Sequence, residues 1–179
     1  RQVTNVRTAR ELKEAFLDEC EKRDIEVHLI VGNHDVYYKD TNKINSPEML
    51  ISNPNFFIYT HPADVYIGDN RLLMLPWITH DNYEESMSFV QHSPSRFAFG
   101  HLALTGFQMN GGSVCRDGLS ADMFSRFEAV FSGHFHKKSG QKNITYLGSP
   151  TPFDWGEAKD PHGFHILDLN SAEIAFIEN

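Results

Sequence analysis

Residues 26–35 read Glu26-Val27-His28-Leu29-Ile30-Val31-Gly32-Asn33-His34-Asp35, an apolar run that meets a glycine and breaks at once into a histidine-bearing polar loop. A short apolar run rich in branched residues and stopped by glycine predicts a buried strand. Ahead of it, Leu12, Phe16 and Cys20 recur at helical spacing. With Thr8 as N-cap and Glu11 completing a capping box, the pattern predicts a helix over residues 9–23 that Asp24 ends. Helix, short turn, apolar strand and polar loop is the rhythm of a layered α/β domain.

The same punctuation returns twice. Residues 96–99 (Arg-Phe-Ala-Phe) stop at Gly100-His101, and residues 128–131 (Glu-Ala-Val-Phe) run into Ser132-Gly133-His134-Phe135-His136. Further apolar runs predict strands at 56–59, 65–67, 71–75, 144–147, 164–169 and 173–177, the last two forming a hairpin around Asn170-Ser171. Helices are expected over 83–91 and, capped by Ser120, over 120–126. Residues 106–118 read as a loop, with Gly106, Gly111, Gly112 and Gly118. No repeat, low-complexity tract or linker interrupts the pattern, so residues 1–179 read as one domain.

Composition narrows the class. The 179 residues are 40% hydrophobic, with 14 Phe and 22% charged residues, a globular balance that excludes a disordered or fibrous chain. No apolar stretch approaches a membrane span, no basic segment leads into an apolar signal, and two Cys cannot make a disulfide scaffold. The net charge of −8 argues against a basic nucleic-acid wrapper but not against an enzyme that meets phosphate through bound cations.

Ten His are present, and those at the strand ends carry the chemistry. In layered α/β proteins, ligands bind beyond the carboxyl ends of strands, where glycine lets the backbone turn and approach closely. Imidazole is the commonest protein metal ligand, and an Asn oxygen completes a mixed nitrogen and oxygen shell. Asn33, His101, His134 and His136 are therefore candidate metal ligands. In extended backbone, His134 and His136 would share a face, roughly 6.5 Å apart along the strand, suited to two ions about 3.5–4 Å apart. His28, inside its strand, reads as a sheet-face residue. His61, His80, His92, His162 and His165 lack the strand–glycine context, and neither Cys20 nor Cys115 has a partner at zinc-ligand spacing.

The order Gly32-Asn33-His34-Asp35, Gly100-His101, Gly133-His134-Phe135-His136 resembles that of the calcineurin-like metallophosphoesterases. Within them it is similar to the SbcD-type double-strand-break nucleases and the recombination endonuclease subunits of tailed phages. The narrower likeness rests on Ile30–Lys39, on Tyr146-Leu147-Gly148-Ser149-Pro150, on Phe153-Asp154-Trp155-Gly156-Glu157 and on Gly163-Phe164-His165.

The resemblance implies an α/β layered metallophosphoesterase fold, two packed mixed sheets flanked by helices. It also implies that residues 1–179 are a nuclease domain incomplete at its N-terminus. The family's D-x-H and G-D-x-x-D motifs are expected upstream, Arg1-Gln2-Val3 resembling the segment that follows them, and the chain by itself is expected to be inactive. Asn33, His101 and His134 would hold one metal and His136 the other. His34 would be the catalytic histidine that stabilises the phosphorane-like charge or protonates the leaving oxygen, with Asp35 orienting it. The implied cofactor is two manganese ions, with magnesium, zinc or iron as alternatives. The implied partners are DNA and an ABC-type coiled-coil ATPase; a homodimer is compatible, a membrane is not expected, and the setting is the bacterial cytoplasm, with phage infection included. A nucleotide phosphodiesterase or phosphoprotein phosphatase of the same fold, and a non-catalytic fragment holding at most one metal, are the alternatives. Lys137 and Lys138 would steer DNA or form a solvated surface pair. Phe153 and Trp155 would stack on a base or pack, and packing is expected.

Overall fold

The computed structural model describes residues 5–109 and 112–179. The expectations placed on Arg1-Gln2-Val3 and on Gly111 lie outside them.

Six strands form the central sheet: β3 (Ala63–Ile67), β4 (Asn70–Leu75), β5 (Phe97–Gly100), β6 (Ala129–Ser132), β7 (Ser139–Gln141) and β8 (Ile144–Tyr146). Their order is β3-β4-β5-β6-β8-β7. The middle strands β4, β5, β6 and β8 run parallel, and β3 and β7 close the edges antiparallel. A parallel core covered on both faces requires strands that are apolar on both faces, which explains the unbroken run Leu72-Leu73-Met74-Leu75. Leu73 and Leu75 join Ala98, Val130, Ile144 and Tyr146 under α4 (Tyr83–His92) and a 3₁₀ turn at Ala121–Phe124. Leu72 and Met74 join Phe97 and Phe131 on the opposite face.

That opposite face is covered by two smaller sheets. Strands β1 (Val27–Ile30) and β2 (Phe56–Tyr59) pair in parallel and contribute Ile30 and Tyr59. The antiparallel hairpin β9 (Gly163–Leu167) and β10 (Ile174–Glu178) contributes Leu167, with Leu169 and Ala172 from its turn. The fold is thus a mixed α/β layering, with a six-stranded sheet flanked by helices on one face. The layer on its other face is divided into two two-stranded pieces.

Outside β1–β2 lies the N-terminal helix, which departs from expectation in two respects. It starts at α1 (Val6–Leu12), passes through a π-helical turn (Lys13–Leu17) and continues as α2 (Asp18–Lys22). Its cap is Asn5, whose side chain accepts the Arg7 N–H, so Thr8 lies inside the helix instead of ahead of it. The π turn also rotates the apolar stripe. Leu17 and Cys20 are buried against Phe56, while Leu12 and Phe16 are 40% and 45% exposed. Asp24 stops the helix as expected, in the left-handed region at φ 53°. A further short helix, α3 (Ser46–Leu50), is capped by Asn45, which accepts the Glu48 N–H. Neither α3 nor β7 is foreseen above, because five and three residues are too few to show a period.

Candidate functional site

The carboxyl ends of β1, β5 and β6 converge, and the glycines after or at those ends make room for one imidazole. A methyl group on Gly32 would lie 2.9 Å from His101 Cε1, and one on Gly133 would lie 3.2 Å from His101 Nδ1. The His101 ring therefore sits between two glycines from two other loops. Backbone bonds hold this arrangement: His101 N–H donates to Leu75 O at 3.1 Å, Gly133 N–H to Gly100 O at 2.9 Å, and Trp77 N–H to Val31 O at 2.8 Å.

Around that ring the expected ligands assemble. His101 Nε2 lies 2.8 Å from Asn33 Oδ1, and the His101 and His134 ring centres are 5.1 Å apart. The indole of Trp77, which the sequence reasoning missed, borders both, 6.0 Å from His101 and 5.1 Å from His134. A single aromatic next to a proline carried no signal for it. His136 turns elsewhere: its Nδ1 lies 2.6 Å from Glu157 Oε1, and its ring is 4.8 Å from Phe153. Glu157 was also missed as a site residue, although it closes the Phe153–Glu157 segment quoted above. It is buried, and its other oxygen accepts the Phe153 N–H at 2.9 Å.

The extended geometry expected for His134 and His136 is not what the chain adopts. His134 sits at φ 82°, a left-handed conformation that a non-glycine residue rarely takes. Between the two, Phe135 is buried and its ring stacks on Tyr146 at 4.6 Å. Anchoring Phe135 in the core turns the chain at His134, so the shared-face argument does not apply to this segment.

His34 is exposed at the rim, and Asp35 lies behind it with Oδ2 accepting the Gly32 N–H at 2.8 Å. Burial pushes the His101 imidazole down to about 4, with His134, His34 and His136 adding smaller repulsions. Burial likewise lowers His134, followed by His34 and His136. Both rings are thus neutral near pH 7, and the four histidines are close enough to sense one another.

The donors fit a divalent metal. Neutral imidazole nitrogens beside an amide oxygen are the set that such ions accept. A 2.8 Å spacing also suits neighbouring ligand atoms of one ion, since donors about 2.1 Å from it at right angles are about 3 Å apart. Among the described residues no three His, Cys, Asp or Glu side chains form a metal-binding group by themselves. Beside His101 a cleft of about 720 Å³ opens, lined by Trp77, His80, Asp81, Glu84, Leu102 and Asp117, among others.

The remaining sequence candidates take structural or surface places. His28 lies between Tyr59 and Glu26, 2.5 Å from each, and stacks on Phe57. His61 pairs with Glu85, His92 bonds the Ser88 carbonyl, and His165 packs on Phe176. His162 lies between the Ser149 and Glu157 carbonyls. Cys20 and Cys115 are buried free thiols. Lys137 is paired with Asp160 at 3.4 Å, and Lys138 Nζ sits 3.8 Å above the Phe176 ring, so the doublet is engaged within the fold. Trp155 is 96% exposed, which overturns the expectation that it packs, while Phe153 is 68% exposed with its ring against His136.

No family model matches the chain. Over 156 residues the chain is 35% identical to exonuclease subunit 1 of Enterobacteria phage T4, an alignment that takes in 87% of this chain and 46% of that protein. The chain therefore spans just under half the length of the curated relative it matches.

Proposed function

We propose that this chain belongs to the nuclease subunit of a DNA recombination or repair complex and contributes to metal-dependent hydrolysis of phosphodiester bonds. The observation that carries the proposal is the meeting of Asn33, His101 and His134 from three strand ends. The similarity to a protein named as an exonuclease subunit supports it.

Asn33, His101 and His134 would hold one metal ion and His136 part of the shell of a second, manganese being the proposed element and magnesium, zinc or iron the alternatives. Such ions, when bound, polarise the phosphate and make a water nucleophilic at neutral pH. The chain's own residues do the rest. Gly32 and Gly133 let the His101 ring reach the shared position. Glu157 fixes the His136 ring through Nδ1, which sets its orientation and tautomer. His34, exposed at the rim, donates a proton to the leaving oxygen, and Asp35 positions it by holding the Gly32 turn. DNA and an ABC-type coiled-coil ATPase are the proposed partners, and a homodimer is a compatible state. The bacterial cytoplasm during phage infection is the proposed setting. No helix among the described residues is long and apolar enough to cross a membrane.

The test uses the full-length protein to which this chain belongs. Linear duplex DNA and a small phosphodiester such as bis(p-nitrophenyl) phosphate are supplied with manganese. DNA is expected to be degraded, and His101→Ala to lower the rate by more than the roughly 10–100-fold that losing an outer-shell partner produces. Turnover of the small diester without DNA cleavage would replace the nuclease reading with a nucleotide phosphodiesterase.

A further inference from the structure

Trp155 is the most exposed large apolar side chain among the described residues, at 96%, and Phe153, two residues earlier, is 68% exposed. Single exposed apolar residues are ordinary on protein surfaces, and a mobile tail would need no explanation. This pair differs, because the backbone that presents it is tied down. Glu157, 6% exposed, accepts the Phe153 N–H at 2.9 Å and meets His136 Nδ1 at 2.6 Å. Asp154 Oδ1 accepts the Gly156 N–H at 2.7 Å, and Asp154 O accepts the Glu157 N–H at 3.2 Å. From the far side, Asp160 N–H and His162 Nε2 both reach Glu157 O, at 2.9 and 3.0 Å. The segment is a rigid bracket that holds two aromatic rings out into water. One of those rings is 4.8 Å from His136, at the edge of the candidate metal centre.

A bare indole two residues from a ring that touches His136 matches what an unpaired nucleobase recognises. Base–aromatic stacking tolerates any base and needs no positive charge, which suits a chain of net charge −8 whose nearest lysines are engaged internally. We propose that Phe153 and Trp155 form a stacking platform that captures an unpaired base of the strand being processed and fixes its phosphate against the His136 side of the site. The inference rests on the nuclease reading for its choice of DNA as ligand.

The test measures binding without turnover, in chelator, to a fluorescein-labelled oligothymidylate and to a blunt duplex of equal length. The wild-type chain is expected to bind the single strand with quenching of tryptophan emission. Trp155→Ala is expected to weaken that binding about 5- to 150-fold, the range for loss of one base–aromatic stack. Trp155→Phe should retain most of the affinity, and duplex binding should be unchanged in both variants. Because the side chain is so exposed, far-ultraviolet dichroism and the melting midpoint should match the wild type. Absence of single-strand binding by the wild type, unchanged binding by Trp155→Ala, or equal losses on single strand and duplex each overturn the proposal. DNA cleavage with normal single-strand binding by Trp155→Ala sinks this inference alone. Trp155-dependent binding by a full-length protein that cleaves no DNA with manganese sinks the nuclease reading alone.

Discussion

Gly32 is defined by what occupies the space of its missing side chain. A Cβ there meets three atoms of the His101 ring between 2.9 and 3.2 Å, so Gly32→Ala must displace either the ring or the loop. The expected cost is about 1–3 kcal/mol in urea denaturation, the usual range for overpacking, together with weaker stabilisation by added manganese. Gly68→Ala is the matching control. Its Cβ meets nothing, and only the left-handed φ of +57° resists it, at about 1–2 kcal/mol and with no effect on the metal response. Equal metal responses in the two variants would show that the glycine gap does not shape the site. The strand–Gly–His pattern was visible in the sequence as a place of close backbone approach. What approaches is a side chain from a third loop, and no local pattern carries that information.

Among the elements, β8 has a second role beyond its place in the sheet. The buried Tyr146 hydroxyl donates to Leu102 O at 2.9 Å and accepts the Leu104 N–H at 3.1 Å, fastening the segment that follows His101. Tyr146→Phe keeps the ring but leaves both backbone groups unpaired, at an expected cost of about 1–3 kcal/mol. Burial, the largest cause, raises the phenol well above its ordinary value. A raised folded-state value favours the protonated form. That contribution is therefore present in full below about pH 10, the unfolded tyrosine value, and is lost as the pH climbs through the raised one. Denaturation midpoints measured from pH 8 to pH 11 should fall more steeply for the wild type than for Tyr146→Phe, and parallel slopes would refute the assignment. The strands themselves were legible, because a parallel core covered on both faces demands apolar runs such as Leu72–Leu75. The start of the N-terminal helix was misplaced because both Asn5 and Thr8 are competent caps. Its buried stripe was misplaced because a π turn breaks the 3.6-residue period on which such patterns rest.

At the scale of the whole molecule, the charge of −8 and the contacts of Lys137 with Asp160 and Lys138 with Phe176 argue against a basic track beside the His134–His136 loop. Binding of the chain to DNA in chelator should accordingly depend weakly on salt, with a log–log slope smaller in magnitude than about 3 between 50 and 200 mM. A steep slope would point to a basic face contributed by the fold and would weaken the case for stacking as the main contact. The α/β class, most strands and the candidate ligands Asn33, His101, His134 and His136 are legible along the chain, because runs of apolar residues and glycine breaks are local properties. Which of them meet is set by how the strands and loops fold together. Asn33 and His101 are 68 residues apart, and His136 and Glu157 are 21 apart. Their encounters follow from strand order, from the left-handed turn at His134 and from the bracket that exposes Trp155. Each depends on how distant segments pack, and no periodicity along the chain encodes that.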